Sequence, residues 1–170
     1  MKCTRCPLHE TVTNQVVGMG NQNADIMLIG EAPGAKEDAS GLPFQGMSGN
    51  ILSDVLKQAG LSRDDVYITN TVRCRPPGNR NPKVGEVTAC KRNLQDVIDT
   101  VSPKIIVTVG LVSTKRFIPV KNMKDVVSHA HGNIVPMLHP ASYLYSGRSP
   151  QVMKSMVSSL KIASLLTKKL

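Results

Sequence analysis

Apolar residues along this chain alternate between short continuous runs and helical repeats. Ala24-Asp25-Ile26-Met27-Leu28-Ile29-Gly30 reads as a buried strand that ends in a Gly/Pro loop. Val66-Tyr67-Ile68-Thr69 is a second strand, and Lys104-Ile105-Ile106-Val107-Thr108-Val109 is the clearest one. A fourth runs from Asn133 to Leu138 and stops at His139-Pro140. Between them, Ile51, Leu52, Val55, Leu56 and Ala59 recur at helical spacing over 48–59, with Gly60 as the stop. A second helix is expected from about Gly85 to Asp99, closed by Pro103, and a short one after Gly110. A terminal amphipathic helix with basic residues spans Ser149 to Lys169. Strands alternating with helices predict an α/β fold, a parallel sheet covered on both faces. No repeat or linker interrupts residues 1–170, which read as one domain.

The pattern also locates a crevice. Three clusters rich in Gly, Pro and polar residues, at 30–34, 70–80 and 139–143, each follow a strand directly. Open α/β sheets bind ligands beyond the carboxyl ends of their strands, so all three clusters are expected to line one site.

Composition narrows the ligand. Lys and Arg number 21 against 12 Asp and Glu, a formal charge of +9, which suits a polyanionic partner. Aromatics are few: Phe44, Phe117, Tyr67, Tyr143 and Tyr145. The core must be aliphatic, and an aromatic inside a Gly/Pro loop becomes a candidate contact for a flat ligand. No apolar run approaches the roughly 20 residues of a membrane span, and Met1-Lys2-Cys3 lacks a signal-like apolar stretch, so a cytoplasmic protein is expected. The four cysteines follow Cys3-x2-Cys6, a long gap, then Cys74-x15-Cys90. In a cytoplasmic protein such a set suits a metal centre better than disulfides. Zinc and an iron–sulfur cluster both remain open on spacing alone.

Several segments together resemble the iron–sulfur uracil-DNA glycosylases, and family four of that superfamily most closely. They are Gly30-Glu31-Ala32-Pro33-Gly34 with Glu37, then Gly41-Leu42-Pro43-Phe44-Gln45-Gly46, then Thr69-Asn70 through Arg80, and Leu138-His139-Pro140-Ala141. The resemblance implies a three-layer α/β/α fold around a four-stranded parallel sheet. It implies a structural 4Fe–4S cluster on Cys3, Cys6, Cys74 and Cys90. It implies hydrolysis of the N-glycosidic bond of uracil flipped out of DNA, with uracil-containing DNA as partner and a monomer as the working form.

The same resemblance distributes roles. Phe44 would stack on the base. The Asn70 amide, a donor and an acceptor together, would match uracil O4 and N3–H. His139 would donate to O2 as negative charge develops there. Glu37 is expected to orient the water, and Glu31 to organise the pocket. Ala32 and Gly34 would line it through backbone close to the base. Leu144 or a neighbouring Tyr would fill the gap left in the duplex. Arg75, Arg80, Lys83 and Arg148 would contact phosphates. Two other readings compete: a non-catalytic DNA-binding or replication accessory protein on the same fold, and a zinc-stabilised nucleic-acid protein. Gln45 and Met47, where the family usually has other residues, favour the first of these.

Overall fold

A computed structural model describes residues 2–170. Its sheet holds β1 (Met19–Gly20), β2 (Ile26–Gly30), β3 (Val66–Asn70), β4 (Ile105–Val109) and β5 (Ile134–Met137) in the order β1-β3-β2-β4-β5. The four long strands run parallel, paired Gly30 with Asn70, Leu28 with Val107, and Val107 with Val135. The helices are α1 (Ala35–Ser40), α2 (Met47–Gln58), α3 (Val84–Val101), α4 (Leu111–Thr114), α5 (Ala141–Tyr145) and α6 (Pro150–Thr167).

The apolar runs explain the layers. Successive strand residues point to opposite faces, and both faces are covered, so every position of β2 is buried. Ile26, Leu28, Ile68, Val107 and Val135 pack against Leu52 and Val55 of α2 and Met156 and Leu160 of α6. Met27, Ile29, Tyr67 and Ile106 pack on the other face against Leu94, Val97 and Val101 of α3. The result is the expected three-layer arrangement.

The sheet has five strands, not the expected four. β1 is a two-residue antiparallel edge on β3. It carries no apolar run, because its place is set by close backbone approach. A Cβ added at Gly20 would collide with the Val66 carbonyl. Such a strand leaves no periodic trace in the sequence. The short helices α1 and α5 were likewise unforeseen, both lying inside segments that read as loops.

The order places the first strand of the parallel set, β2, between β3 and β4. Chain connections therefore leave β2 toward one side and return on the other, which opens a crevice at the carboxyl ends. No helix of the described residues is long and apolar enough to cross a membrane.

Leu160 is fully buried where α6 meets the sheet. Leu160→Ala is expected to cost about 2–5 kcal/mol, read as a lowered midpoint in urea unfolding with an unchanged slope.

Candidate active site

The crevice is a cleft of about 530 Å³, a size suited to a small ligand. The segment after β2 (Glu31, Ala32, Pro33, Gly34), the end of β3 (Asn70), the segment after β5 (His139, Ala141, Ser142) and the Phe44 loop all line it. The expected pocket residues Glu31, Ala32, Gly34, Glu37, Phe44, Asn70 and His139 thus share one cavity.

Asn70 is the last residue of β3 and is buried. No hydrogen bond among the described residues engages its side-chain amide, which faces the cleft. Gly30 lies beside it in the sheet. A Cβ at Gly30 would run into Asn70 Oδ1 and the Phe44 ring, so glycine is what lets these two groups come together. Phe44 is buried and forms a wall, its ring centroid 6.1 Å from that of His139 at an interplanar angle of 30°.

His139 is fixed by its own neighbour. The Ala141 N–H donates to His139 Nδ1 at 3.1 Å. Nδ1 is therefore the acceptor nitrogen, and the proton sits on Nε2. Burial holds the imidazole pKa below its ordinary 6.5. Both effects favour a neutral ring that donates from Nε2.

The two glutamates differ sharply. The Glu37 carboxylate accepts from three backbone donors. Its Oε1 accepts from the N–H of Gln45 at 2.6 Å and of Gly46 at 3.0 Å, and its Oε2 from that of Gly34 at 3.0 Å. It ties the loop after β2 to the Phe44 loop. Glu31 is half-buried on the cleft, and desolvation alone raises its pKa above 4.5, with no hydrogen bond or charge in compensation. The unspent carboxylate of the site is Glu31.

The rim is mixed. Arg80 lines the cleft, but its guanidinium is held by Glu86 at 2.7 and 2.9 Å. Arg75 donates from Nε to Asn79 Oδ1 at 2.7 Å. Lys83 and Arg148 are exposed, Arg148 with a left-handed φ of 63°. Leu144 touches the cleft yet packs against the core, whereas Tyr145, next to it, is 88% exposed on the same rim. Met47 stands on that rim as well, 70% exposed. Of the expected candidates, Leu144 or a neighbouring Tyr, Tyr145 is the one that projects from the rim.

A second cavity, smaller and almost wholly apolar, is lined by all four cysteines. Cys3 is tethered through Gln15, which accepts from its N–H at 2.8 Å and donates to its carbonyl at 2.6 Å. Asn93 Nδ2 donates to Cys3 Sγ at 3.4 Å and to Cys90 Sγ at 3.6 Å. Burial, with the other three cysteines adding to it, pushes the Cys74 thiol up to about 12. Among the described residues, no three His, Cys, Asp or Glu side chains meet as ligands of a single metal ion.

Residues 17–161 match the profile of the Uracil DNA glycosylase superfamily. The chain belongs to that superfamily. Its curated relatives place it among the family-four members. It is 38% identical to the Type-4 uracil-DNA glycosylase of Thermotoga maritima, over 99% of this chain and 91% of the relative. It is 37% identical to the Archaeoglobus fulgidus Type-4 uracil-DNA glycosylase, over 99% and 90%. The Saccharolobus solfataricus Type-4 enzyme is 41% identical over 85% of this chain and 74% of its own length.

The contrast between the glutamates is measurable. Because the folded pKa of Glu31 is raised, folding favours its protonated form between pH 4.5 and that higher value. Wild-type stability should therefore decline as pH rises through this window. Glu31→Gln is expected to remove that decline and to leave stability at neutral pH equal or higher. Glu37→Gln turns an acceptor into a second donor against a backbone N–H, and should cost about 1–3 kcal/mol at neutral pH. Urea unfolding of both variants across pH 4–8 (roughly the span of these carboxyl and imidazole groups) checks the pair.

Proposed function

We propose that this protein is a uracil-DNA glycosylase that hydrolyses the bond between deoxyribose C1′ and uracil N1, opening base excision repair. The observation that carries this reading is the convergence of three groups on one cleft: the Phe44 wall, the unengaged Asn70 amide and the Nε2–H of His139.

The chemistry follows from these groups. The target nucleotide leaves the duplex, at a cost of a few kcal/mol for unstacking and unpairing. Tyr145, the exposed aromatic of the rim, enters the space the base leaves, while Lys83 and Arg148 meet phosphates. Arg75 and Arg80 contribute chiefly by shaping the 75–80 segment, since both are engaged within the protein. Uracil stacks on Phe44. Asn70 accepts from N3–H and donates to O4, an edge that cytosine reverses. As the C1′–N1 bond breaks, its electron pair moves to uracil N1 and O2. A neutral His139 donates to O2 there and is worth most in this desolvated site. Water adds to C1′ and gives up a proton, and the departing uracil anion takes one up, so that the products are an abasic sugar and neutral uracil. Glu31, without a hydrogen-bond partner among the described residues, orients that water. Glu37 keeps the loop in shape. This division reverses the one expected from sequence, because three backbone N–H groups hold Glu37 in place while none holds Glu31.

The four cysteines fit a 4Fe–4S cluster. All four line one small cavity, and Asn93 donates N–H···S bonds to two of them, an arrangement in keeping with thiolates that share one cluster. Cys3, Cys6, Cys74 and Cys90 would hold the cluster, which would brace the N-terminal segment against α3 and the loop after β3 without entering the reaction. Such a protein works as a soluble monomer on uracil-containing DNA, with residues 1–170 folding as one domain.

The deciding experiment is excision from an oligonucleotide bearing one uracil, read as alkali-labile breaks, with thymine and cytosine controls. Wild type should cut at uracil alone. His139→Ala should lose about 10²–10³-fold in single-turnover rate, and Asn70→Ala should lose discrimination against cytosine as well as rate. A folded, DNA-binding wild type that makes no breaks would point to the accessory-protein reading instead.

The cofactor has its own test. Protein isolated without oxygen should be brown and contain about four irons and four sulfides per chain. Cys74→Ser should lose the colour and resist proteolysis less well, first in residues 2–16. Stoichiometric zinc with no visible absorption would sink the cluster assignment.

A further inference from the structure

The Phe44 wall is not held by the core alone. Phe44 has a left-handed φ of 52°, a conformation that a bulky side chain rarely adopts unless its surroundings impose it. Its carbonyl turns inward, onto Gly49 at the start of α2, where any Cβ would collide with it. That carbonyl then needs a donor. Arg63, nineteen residues on in the segment before β3, supplies it. Arg63 Nη2 donates to Phe44 O at 2.7 Å and to Gly49 O at 2.9 Å. Its Nε donates to Ser53 Oγ at 2.9 Å, and its Nη1 reaches Pro43 O at 3.5 Å. No carboxylate forms a salt bridge with it among the described residues. Nη1 also reaches Met19 Sδ at 3.9 Å, and the two shortest bonds of the guanidinium to backbone are those to the Phe44 and Gly49 carbonyls.

On the opposite side of the same loop, Glu37 takes the N–H groups of Gln45 and Gly46. The Phe44–Gln45 peptide is thus gripped from both ends by charges of opposite sign, its carbonyl by Arg63 and its N–H by Glu37. Charge-assisted bonds are roughly twice as strong as neutral ones, and two of them acting on one peptide can hold a strained backbone beside it.

We infer that Arg63 is a positioning residue for base recognition, fixing the plane of the Phe44 ring by holding the Phe44 and Gly49 carbonyls. This rests on reading Phe44 as the surface on which uracil stacks. Arg63 does not touch the base. It acts by denying Phe44 the extended conformation, in which the ring would swing away from Gly30 and Asn70. Burial lowers the Arg63 pKa and Glu37 opposes that, in keeping with a cation retained in a half-buried place for the sake of its geometry.

The test separates ring placement from chemistry. The chain has only two phenylalanines, Phe44 and Phe117, so selective labelling gives an assignable spectrum. Nuclear Overhauser effects between the Phe44 ring and the Gly30 Hα protons report placement without any reaction. In Arg63→Lys, which keeps the charge but not the fork of donors, these effects should weaken strongly. Its single-turnover excision rate should drop about tenfold or more, while affinity for uracil-free DNA stays within about twofold. In combination with Phe44→Leu the losses should not add, since both act through one ring. Arg63→Ala should behave likewise and more severely, and should it fail to fold, Arg63→Lys carries the test. Unchanged ring contacts in a folded Arg63→Lys, or losses that add to those of Phe44→Leu, would overturn the inference. Should wild type excise no uracil, the glycosylase reading fails by itself, and the ring contacts still decide whether Arg63 places Phe44.

Discussion

The cleft depends on one carboxylate. Glu37 accepts three backbone N–H bonds, from Gly34 on one loop and from Gln45 and Gly46 on another. Neither loop has a core of its own. The first is a glycine- and proline-rich exit from β2, and the second is the six-residue bend 41–46 between α1 and α2. Unpaired backbone N–H groups near a half-buried surface cost free energy, and water at the cleft would compete for them. A carboxylate satisfies several at once and concentrates them at one point. With the loops joined there, Gly34 and Gly46 face the same cavity and Phe44 is carried to the Asn70 end of β3. Without that junction the segments after β2 and before α2 would be two independent flaps, and the cleft would have no fixed width.

That single commitment also decides what the other glutamate is free to do. Glu31 has no such donors, and desolvation alone acts on it. A buried carboxylate left unpaired is a stability cost, which natural chains tolerate mainly where the charge is used. The same holds for the unengaged amide of Asn70. His139 is the complementary case, a ring kept neutral by burial and held in one tautomer by the Ala141 N–H. The cleft therefore brings a carboxyl without a partner, a neutral donor and a bifunctional amide into one cavity, none of them bonded to another. The sheet makes this tolerable: β2, β3, β4 and β5 are buried along their whole length, and their packing offsets what the site loses.

How much of this is visible in the sequence depends on the kind of interaction. The four parallel strands announce themselves by unbroken apolar runs, and their carboxyl ends place Asn70 and His139 before any coordinates exist. β1 does not, because it is defined by where Gly20 can approach Val66, and close approach has no periodicity. That Glu31 and Glu37 both line the cleft was legible, and which of them is held by backbone donors was not. Which carboxylate meets backbone N–H groups is a matter of how two loops face each other, and a backbone donor has no letter in a sequence. Leu144 and Tyr145 show the same limit at smaller scale. A one-residue step along a five-residue helix turns one side chain onto the core and leaves the other in solvent.

Arg63 is the furthest case, since nothing in the run Ser62-Arg63-Asp64-Asp65 ties it to Phe44. The fold gives Asp65 to the Ser62 N–H and hydroxyl and turns the Arg63 guanidinium inward onto carbonyls. The reason lies in the neighbouring loop. A left-handed Phe44 and a glycine at position 49 bring two carbonyl oxygens within reach of one planar fork of donors, and only arginine presents such a fork. Strain at Phe44, the absence of a side chain at Gly49 and the inward turn of Arg63 are therefore one arrangement rather than three. Each is unfavourable or unexplained alone, and together they set the face on which a flat base would rest.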